Sequence, residues 1–257
     1  LLPFLWLHGE DQERVKEEIL AIKNTGTRAF CAESRVYEKF CEDQWWEDFG
    51  FILKTAKELD MKVWLLDDRK FPTGYANGYL EKEENAHLRK KCMREQTSTV
   101  VGPQKCAKSV VDQFLNKGRG EELLSVIAYR FDGEGDTLCP DSAIDLTDSY
   151  KDGCVYWDVP SGVWRVCILI KTTSRVPDGL HFKYLVDILN KESCMSQIKA
   201  VYEPQYEHFA EYFGNTFLGF FSDEPGFYNS EGSYQVKLGF RKEHLPWSKE
   251  IAGLVAK

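Results

Sequence analysis

The chain has 257 residues, 43% of them hydrophobic and 29% charged, and this composition excludes a disordered or collagen-like protein. Forty-one acidic residues against 33 basic residues give a formal net charge of -8, which argues against a nucleic-acid-binding protein because such proteins concentrate Lys and Arg. No apolar run approaches the roughly 20 residues that cross a bilayer, so we expect no membrane-spanning segment.

The first 80 residues are predicted to form three strand-and-helix units. Apolar runs at residues 5–7, 28–32 and 61–66 are short and end in polar residues, as is typical of buried strands. Between them, apolar residues recur every three or four positions, which predicts two amphipathic helices. These residues are Val15, Ile19 and Ile22 in the first helix and Trp45, Phe49, Ile52, Ala56 and Leu59 in the second. This alternation predicts parallel strands covered by helices.

The ends of these strands favour a barrel over a doubly wound sheet. No glycine-rich phosphate-binding motif follows any of them. Each strand leads instead into side chains that ionise or form hydrogen bonds, and a (β/α)8 barrel assembles its active site from such strand ends. We therefore predict an α/β fold of the TIM-barrel type.

Residues 81–178 are predicted to be an insertion in this barrel. The polar stretch at residues 81–118 is interpreted as largely helical, with an interruption at residues 102–103. β-rich segments follow, and Pro-Ser-Gly at residues 160–162 between two apolar runs predicts a hairpin. The insertion thus combines a helical segment with an antiparallel β module.

The barrel pattern resumes in residues 179–257. A strand is predicted at residues 184–190, followed by a helix that Pro204 kinks or restarts. A fifth strand at residues 217–221 runs into the sequence Ser-Asp-Glu-Pro. Because a closed barrel needs eight strands, we predict a partial barrel and expect the chain to be the front part of a larger protein, divided at residues 80 and 178.

The cysteines and the N-terminal residues indicate a reducing compartment. Residues 1–7 are apolar but lack the basic region of a signal peptide. The eight cysteines form no C-x-x-C pair and no cluster with histidine, which argues against a zinc site and favours unpaired thiols. We therefore expect a cytoplasmic protein.

Polar side chains follow all five predicted strands, and parallel strands bring such groups to one edge. Grouped carboxylates carry out acid/base chemistry, bind metal or hold polyhydroxy ligands. The residues are His8, Glu10, Glu33, Arg35, Asp67, Asp68, Asp187, Asn190, Asp223 and Glu224. Aromatic residues beside them suit the faces of sugar rings, so a carbohydrate substrate fits the set best. These aromatic residues are Trp6, Trp45, Trp46, Phe71, Tyr75, Phe227 and Tyr228.

Each of these residues also has a structural interpretation. Asp67 and Asp68 could form a turn or cap a helix, and Arg35 could form only an ion pair with Glu33. Glu224 carries the stronger functional indication because it follows an apolar strand and precedes a proline, which favours an extended backbone.

Six segments together resemble the bacterial glycoside hydrolases related to α-L-rhamnosidases. They are PFLWLHGE, AFCAESR, WWEDFGFILKTAKELDMKVWLLDDRKFPTGYANG, YWDVPSGVWRV, YLVDILN and FFSDEPGFY. The group has a barrel opening of the type P-F-x-W-x-(N/H)-G and an acidic strand end of the type D-(E/D)-x-x-(F/W/Y)-P-(S/T)-G-x-A-x-G. A W-D-V-P-x-G-x-W-R-V β module and a D-E-P strand end follow, in this order. The resemblance implies a TIM-barrel glycosidase with an inserted β module.

The resemblance also implies roles for individual residues. Glu224 becomes the candidate catalytic carboxylate, and Asp67 with Asp68 matches the second acidic strand end. Many relatives have Asp-Glu there, so the shorter Asp68 leaves Glu33, or a residue beyond Lys257, as an alternative second carboxyl. Sugar-binding roles are implied for His8, Glu33, Arg35, Asp187, Asn190, Asp223 and Tyr228. No cofactor is expected; relatives can use calcium near the sugar, but this chain has no Asp-x-Asp-x-Asp loop.

Two other functions compete with a glycosidase. The first is a non-catalytic carbohydrate-binding protein or truncated barrel. The second is a metal-dependent sugar isomerase or hydrolase, with His8, Glu33, Asp67, Asp187 and Glu224 as ligands. Only His8, of five histidines, follows a predicted strand, which disfavours the metal enzyme. The sequence makes no prediction of oligomeric state.

Overall fold

The structure is a computed structural model, and it describes residues 1–133, 137–174, 183–226 and 244–250. The chain divides into two compact units. The first comprises Leu1–Lys90 and Gly179–Phe227, and the second comprises Lys91–Asp178 and Tyr228–Lys257. The first unit contains a parallel sheet with helices, and the second an antiparallel sheet. The fold is therefore mixed α/β.

The described residues form strands, α-helices and short 3₁₀ helices. The strands are β1 (Phe4–Trp6), β2 (Ala29–Glu33), β3 (Lys62–Leu66), β4 (Lys91–Val110), β5 (Glu122–Arg130), β6 (Ile144–Asp145), β7 (Tyr150–Lys151), β8 (Cys154–Thr173), β9 (Phe217–Phe221) and β10 (His244–Pro246). The α-helices are α1 (Gln12–Asn24), α2 (Asp43–Glu58), α3 (Lys191–Gln197) and α4 (Glu203–Phe209), with a π-helical turn at Ile198–Tyr202. The 3₁₀ helices lie at Ala76–Glu81, Glu83–Leu88, Asp112–Phe114, Lys117–Arg119, Pro140–Ser142, Thr147–Ser149 and Ala210–Tyr212. No helix in the described ranges is long and apolar enough to cross a membrane.

The parallel sheet of the first unit has the strand order β1-β2-β3-β9. The three strands and two amphipathic helices predicted in residues 1–80 are present as β1, α1, β2, α2 and β3, and a 3₁₀ helix rather than an α-helix follows β3. In α2 the predicted apolar stripe is buried, with Trp45, Phe49, Ile52 and Ala56 all at most 1% exposed. These side chains belong to the same core as the central strands β2 and β3, and burial of this stripe fixes α2 on the sheet.

The pairing register sorts the side chains of this sheet onto two faces, because successive residues of a strand point to opposite sides. Leu5 pairs with Ala32, Ala32 with Leu65, and Leu65 with Phe220, and these residues belong to the core shared with the helices. We call this side the helix face. The other side carries Phe4, Trp6, Cys31, Glu33, Trp64 and Phe221, and we call it the site face.

The sheet is curled toward its site face. Phe4 on the edge strand β1 and Phe221 on the opposite edge strand β9 have ring centroids 5.6 Å apart. A flat sheet of four strands would separate these edges by about 14 Å, because neighbouring strands lie about 4.8 Å apart. Gly219 on β9 adds to the close packing, since a Cβ there would lie 3.3 Å from the Trp64 ring. Among the described residues the parallel sheet has four strands and stays open.

The strand predicted at residues 184–190 is wrong. Val186 forms only an isolated antiparallel bridge with Arg89, and β9 pairs directly with β3. Asp187 closes a turn instead: its backbone oxygen accepts the Asn190 N–H at 2.9 Å, and its Oδ1 accepts the Leu189 N–H at 3.1 Å. A turn held in this way cannot continue as a strand, so four strand ends, rather than five, share the edge of the described sheet.

The antiparallel sheet of the second unit has the strand order β10-β4-β8-β5-β6, with β7 paired to β8. The helical segment predicted at residues 81–118 is wrong, because most of it is β4 and its helical parts are short 3₁₀ turns. Residues 96–102 alternate between exposed and partly buried positions, as in a strand with one solvated face. Pairing with β8 along the whole length of β4 overrides the helical propensity of this polar sequence.

The hairpin predicted at residues 160–162 is also wrong, because β8 runs through them without reversal. Gly102 of β4 pairs with Gly162 of β8. A Cβ on Gly102 would lie 1.9 Å from the Pro160 oxygen, so only glycine fits. The Pro-Ser-Gly sequence therefore marks a close approach of two long strands, next to the irregular pairing after Gly102.

All eight cysteines lie in described residues and are unpaired in the structure. Burial raises the pKa of the Cys31, Cys41 and Cys167 thiols to about 12. A thiol with a raised pKa is a poor nucleophile at neutral pH. These three cysteines therefore serve packing rather than chemistry.

Candidate active site

An ion-pair cluster joins the ends of β2 and β9 on the site face. Glu33 is fully buried and accepts both the Nε of Arg35, at 2.8 Å, and its Nη2, at 2.7 Å. Arg35 Nη1 donates to Asp223 Oδ2 at 3.0 Å. The paired carboxylates raise the pKa of Arg35, chiefly through its hydrogen bonds with Glu33. We call Glu33, Arg35 and Asp223 the rim cluster, and it brings together three of the residues predicted from sequence.

Two aromatic rings flank the guanidinium of this cluster. Arg35 Cζ lies 5.3 Å from the centroid of the Trp6 ring and 5.5 Å from that of Phe71, within the range of cation–π attraction. Trp6 is 44% exposed, so part of its ring remains available to a ligand. A fixed charge beside an open indole is an arrangement that suits a sugar, which has an apolar ring face and polar hydroxyl edges.

Asp67 is hydrogen-bonded on the helix side of the sheet. It follows Leu66, which pairs with Phe221 of the site face, and the alternation of the strand turns Asp67 the opposite way. Its Oδ1 accepts the Thr73 hydroxyl at 2.5 Å, and its Oδ2 accepts the hydroxyls of Tyr202 and Ser222. Burial and the bond to Asp67 raise the pKa of Tyr202, which keeps that donor protonated. Asp67 therefore anchors structure and does not face the rim cluster.

Asp68 organises the loop that follows β3. It is fully buried, and its carboxylate accepts four backbone N–H groups, those of Arg69, Gly74, Ala76 and Asn77, at 2.8–3.1 Å. Burial raises the pKa of Asp68 to about 6, and the four hydrogen bonds act in the opposite direction. These contacts agree with the structural interpretation of Asp68 as a residue that forms a turn.

Thr73 ties this loop to the loop after β9. Its hydroxyl donates to Asp67 and accepts the Asp223 N–H at 2.9 Å. Its own N–H donates to the Asp223 oxygen at 3.0 Å. The sequences Pro-Thr-Gly and Ser-Asp-Glu-Pro, far apart in the chain, thus meet in one hydrogen-bonded structure.

Glu224 is exposed at the end of β9. Its backbone is not extended as expected before a proline: its φ is 48°, in the left-handed region that a residue with a Cβ rarely adopts. Strained backbone of this kind is found at functional sites. Tyr228 lies outside the described residues.

The other predicted residues lie away from the rim cluster. His8 is 57% exposed, and its Nδ1 is 2.8 Å from Glu10 Oε1. Asn190 caps α3, because its Oδ1 accepts the N–H groups of Glu192 and Ser193, and Asp187 is 3% exposed within its turn. No group of three or more His, Cys, Asp or Glu side chains among the described residues could hold a metal ion.

Comparison with known proteins gives a structural likeness but no match in sequence. The sequence matches no family model and no curated protein. The structure is similar to that of the rhamnosidase from Novosphingobium sp. PP1Y, with a TM-score of 0.54 and 11% sequence identity. The match covers 87% of this chain and 38% of that chain. At this identity it shows a shared fold, and it supports the resemblance found in the sequence at the level of fold.

Three residues of the candidate site were not in the predicted set. Thr73 and Tyr202 bind Asp67, and Gln197 Nε2 donates to the Asp67 backbone oxygen at 2.6 Å. Trp6 and Phe71, which flank Arg35, belong to the aromatic residues expected beside the carboxylates. The resemblance implies a substrate-facing loop at residues 71–74, without a role for the Thr73 side chain. For Tyr202 and Gln197, the helical stripe predicted burial only.

Proposed function

We propose that this chain belongs to a glycoside hydrolase with a (β/α)8 barrel, whose sugar binds on the site face beside Trp6 and the rim cluster. The convergence of Glu33, Arg35 and Asp223 beside a half-open indole carries the proposal. The curl of the sheet supports the barrel, because closure requires the strands to curve in this way. The fold shared with a rhamnosidase supports the reaction class.

Glycoside hydrolysis needs one protonated carboxyl at the leaving oxygen and one ionised carboxylate. We assign the first role to Glu224, which is exposed next to the rim cluster in sequence. We assign the second to Glu33 rather than Asp68, because Glu33 is on the site face in an ion pair while four backbone N–H groups enclose Asp68. By resemblance we expect inversion, for which the two carboxyls lie about 6.5–9.5 Å apart.

The test is hydrolysis of a panel of aryl glycosides by the wild-type chain and by Glu224→Gln. We expect the variant to lose about 100-fold or more of kcat, the usual contribution of general acid catalysis, with an unchanged melting temperature. Glu207→Gln, an exposed glutamate on α4, is the matched control and should keep full activity. Unchanged activity in Glu224→Gln would disprove the assignment.

A carbohydrate-binding protein without turnover is the second candidate. It is favoured by one observation: Asp67 and Asp68, the second acidic strand end of the resemblance, are both bound internally. The two functions differ in a simple measurement. Calorimetric binding of a saccharide by a wild-type chain that cleaves no aryl glycoside would support the second candidate, and turnover would support the first.

A further inference from the structure

The loops after β3 and β9 meet at one buried side chain, that of Thr73. Thr73 is 8% exposed, and its hydroxyl oxygen lies 2.5 Å from Asp67 Oδ1 and 2.9 Å from the Asp223 backbone nitrogen. A backbone N–H can only donate a hydrogen bond. The Thr73 oxygen therefore accepts the Asp223 N–H, and its proton goes to Asp67. The hydroxyl thus acts as a donor on one side and as an acceptor on the other.

Asp223 is held at three points. Its N–H donates to the Thr73 hydroxyl, and its backbone oxygen accepts the Thr73 N–H at 3.0 Å. Its carboxylate accepts Arg35 Nη1 at 3.0 Å. Thr73 supplies both backbone contacts, and the rim cluster supplies the side-chain contact. The direction in which Asp223 presents its carboxylate to Arg35 therefore depends on Thr73.

The same contacts reach Glu224 through the peptide group that joins it to Asp223. A peptide group is planar, so a hydrogen bond that fixes the Asp223 oxygen also fixes the Glu224 nitrogen. The φ of Glu224 is 48°, and this angle then sets the direction in which its side chain leaves the backbone. A residue with a Cβ keeps such a left-handed backbone only where the surrounding structure holds it. The bonds from Thr73 are part of that support.

Asp67 anchors this arrangement. The Asp67 N–H donates to the Phe221 oxygen at 3.1 Å, and the Ser222 hydroxyl donates to Asp67 Oδ2. Its other carboxylate oxygen accepts the Thr73 hydroxyl. One aspartate thus holds both the segment that leads into Asp223 and the hydroxyl that binds Asp223.

We propose that Thr73 is a positioning residue of the hydrolase: it fixes the peptide group between Asp223 and Glu224 and so places the Glu224 carboxyl at the leaving oxygen. This inference rests on the proposed function. The proton of Glu224 goes to the leaving oxygen as the bond from that oxygen to the sugar carbon breaks, and a water molecule activated by Glu33 adds to the carbon. Thr73 acts through Glu224 and does not touch the sugar.

The test compares Thr73→Val with Thr73→Ser on the phenyl and dinitrophenyl glycosides of one sugar. Valine keeps the shape of threonine without its hydroxyl, whereas serine keeps both hydrogen bonds. Phenol needs a proton to leave, but dinitrophenol leaves as the anion, so only the phenyl glycoside depends on the acid. Thr73→Val should lower kcat on the phenyl glycoside about 10-fold to 100-fold, the effect of a misplaced catalytic group. On the dinitrophenyl glycoside the loss should be less than about threefold, and Thr73→Ser should stay within about twofold of wild type on both.

The matched control is Thr55→Val, the same substitution at a buried threonine of α2. It should lower kcat less than about twofold on both glycosides. Circular dichroism checks the fold, and Thr73→Cys, whose thiol is a weak donor and acceptor, is a milder variant with the same expected order of losses. Equal losses on the two glycosides in Thr73→Val would indicate less folded protein rather than a misplaced acid, and would overturn the proposal. Failure of serine to preserve activity on the phenyl glycoside would overturn it as well.

Hydrogen exchange of the Asp223 amide separates this proposal from the proposed function, because it needs no turnover. In Thr73→Val this amide loses its acceptor and should exchange at least about fivefold faster than in the wild type, while Thr73→Ser should exchange at the wild-type rate. If the wild-type chain cleaves no glycoside, the hydrolase is disproved, and faster exchange still supports the positioning of Asp223 by Thr73. An unchanged exchange rate in Thr73→Val would overturn the positioning and leave the hydrolase standing.

Discussion

Two groups of acidic residues in the first unit look alike in sequence and differ in structure. Glu33 and Asp223 lie on the site face and share Arg35, while Asp67 and Asp68 accept seven hydrogen bonds from hydroxyl and backbone donors. The charges of Glu33 and Asp223 are neutralised in part by Arg35, which a ligand can approach. The oxygens of Asp67 and Asp68 are already occupied by hydrogen-bond donors of the protein. An acidic residue after a strand therefore indicates function only when two things are known: the sheet face on which it lies and the groups that donate hydrogen bonds to it.

The largest loss of stability is expected when the carboxylate of Asp67 is removed. Asp67→Ala leaves the hydroxyls of Thr73, Tyr202 and Ser222 without their acceptor. Ser222 is exposed and can bond to water, but Thr73 is buried and Tyr202 half-buried, and each unsatisfied donor of this kind costs about 1–3 kcal/mol. The free energy of unfolding should therefore fall by about 4 kcal/mol in urea denaturation. Asp43→Ala, an exposed aspartate in the first turn of α2, should cost less than about 1 kcal/mol. Similar losses in both variants would remove the distinction.

A smaller loss is expected at the rim cluster. Arg35→Met leaves Glu33 buried without its ion-pair partner, and breaking a buried pair costs about 3 kcal/mol. In the double variant Glu33→Gln/Arg35→Met the buried charge is gone, so the stability should recover in part. A double-mutant cycle in urea measures this coupling. Additive losses would mean that Glu33 and Arg35 do not stabilise one another.

The smallest effect concerns the titration of Asp68. Its folded-state pKa of about 6 exceeds the ordinary value of 3.8, so folding favours the protonated form. The stability that Asp68 contributes is thus complete below about pH 4 and is lost as pH rises through about 6. Carboxyl carbon NMR should place its midpoint near 6. A midpoint near 4 would mean that its four backbone hydrogen bonds offset the effect of burial.

The sequence predicted the first unit well where periodicity was strong. The stripe from Trp45 to Ala56 identified α2 and its buried face, and the apolar runs located β1, β2, β3 and β9. The run at residues 184–190 was equally apolar but forms a turn, because hydrogen bonds of Asp187 close it. An apolar run alone does not distinguish a strand from a buried turn.

The candidate site was predicted in composition but not in orientation. β2 is buried on both faces, and β3 is buried on one face and at least partly buried on the other, so their apolar residues do not show which face the following acidic residue takes. The pairing register does show the face. Glu33 pairs with Trp6 and so lies on the site face. Asp67 is one residue beyond Leu66, which pairs with Phe221 of the site face, so Asp67 takes the helix face. The pairing of strands depends on tertiary contacts, so the register of one strand against another could not be predicted from the single sequence.

The second unit was misread for a related reason. β4 is polar, and its exposed and partly buried positions alternate weakly, so composition suggested a helix where β8 supplies the pairing. The glycine at residue 102 was the available signal, because a glycine followed by proline inside a polar run marks either a turn or a close approach of two strands.

The hydroxyl of Thr73 has a consequence for how this chain can vary. The Thr73 hydroxyl donates a hydrogen bond to Asp67 and accepts one from the Asp223 N–H. One oxygen atom therefore links two segments that lie 150 residues apart in the chain. Serine is the replacement that keeps both bonds. In any set of related sequences, positions 67 and 73 should therefore change together, while position 223, which contributes a backbone N–H, need only avoid proline. A valine at 73 should appear only with a new residue at 67.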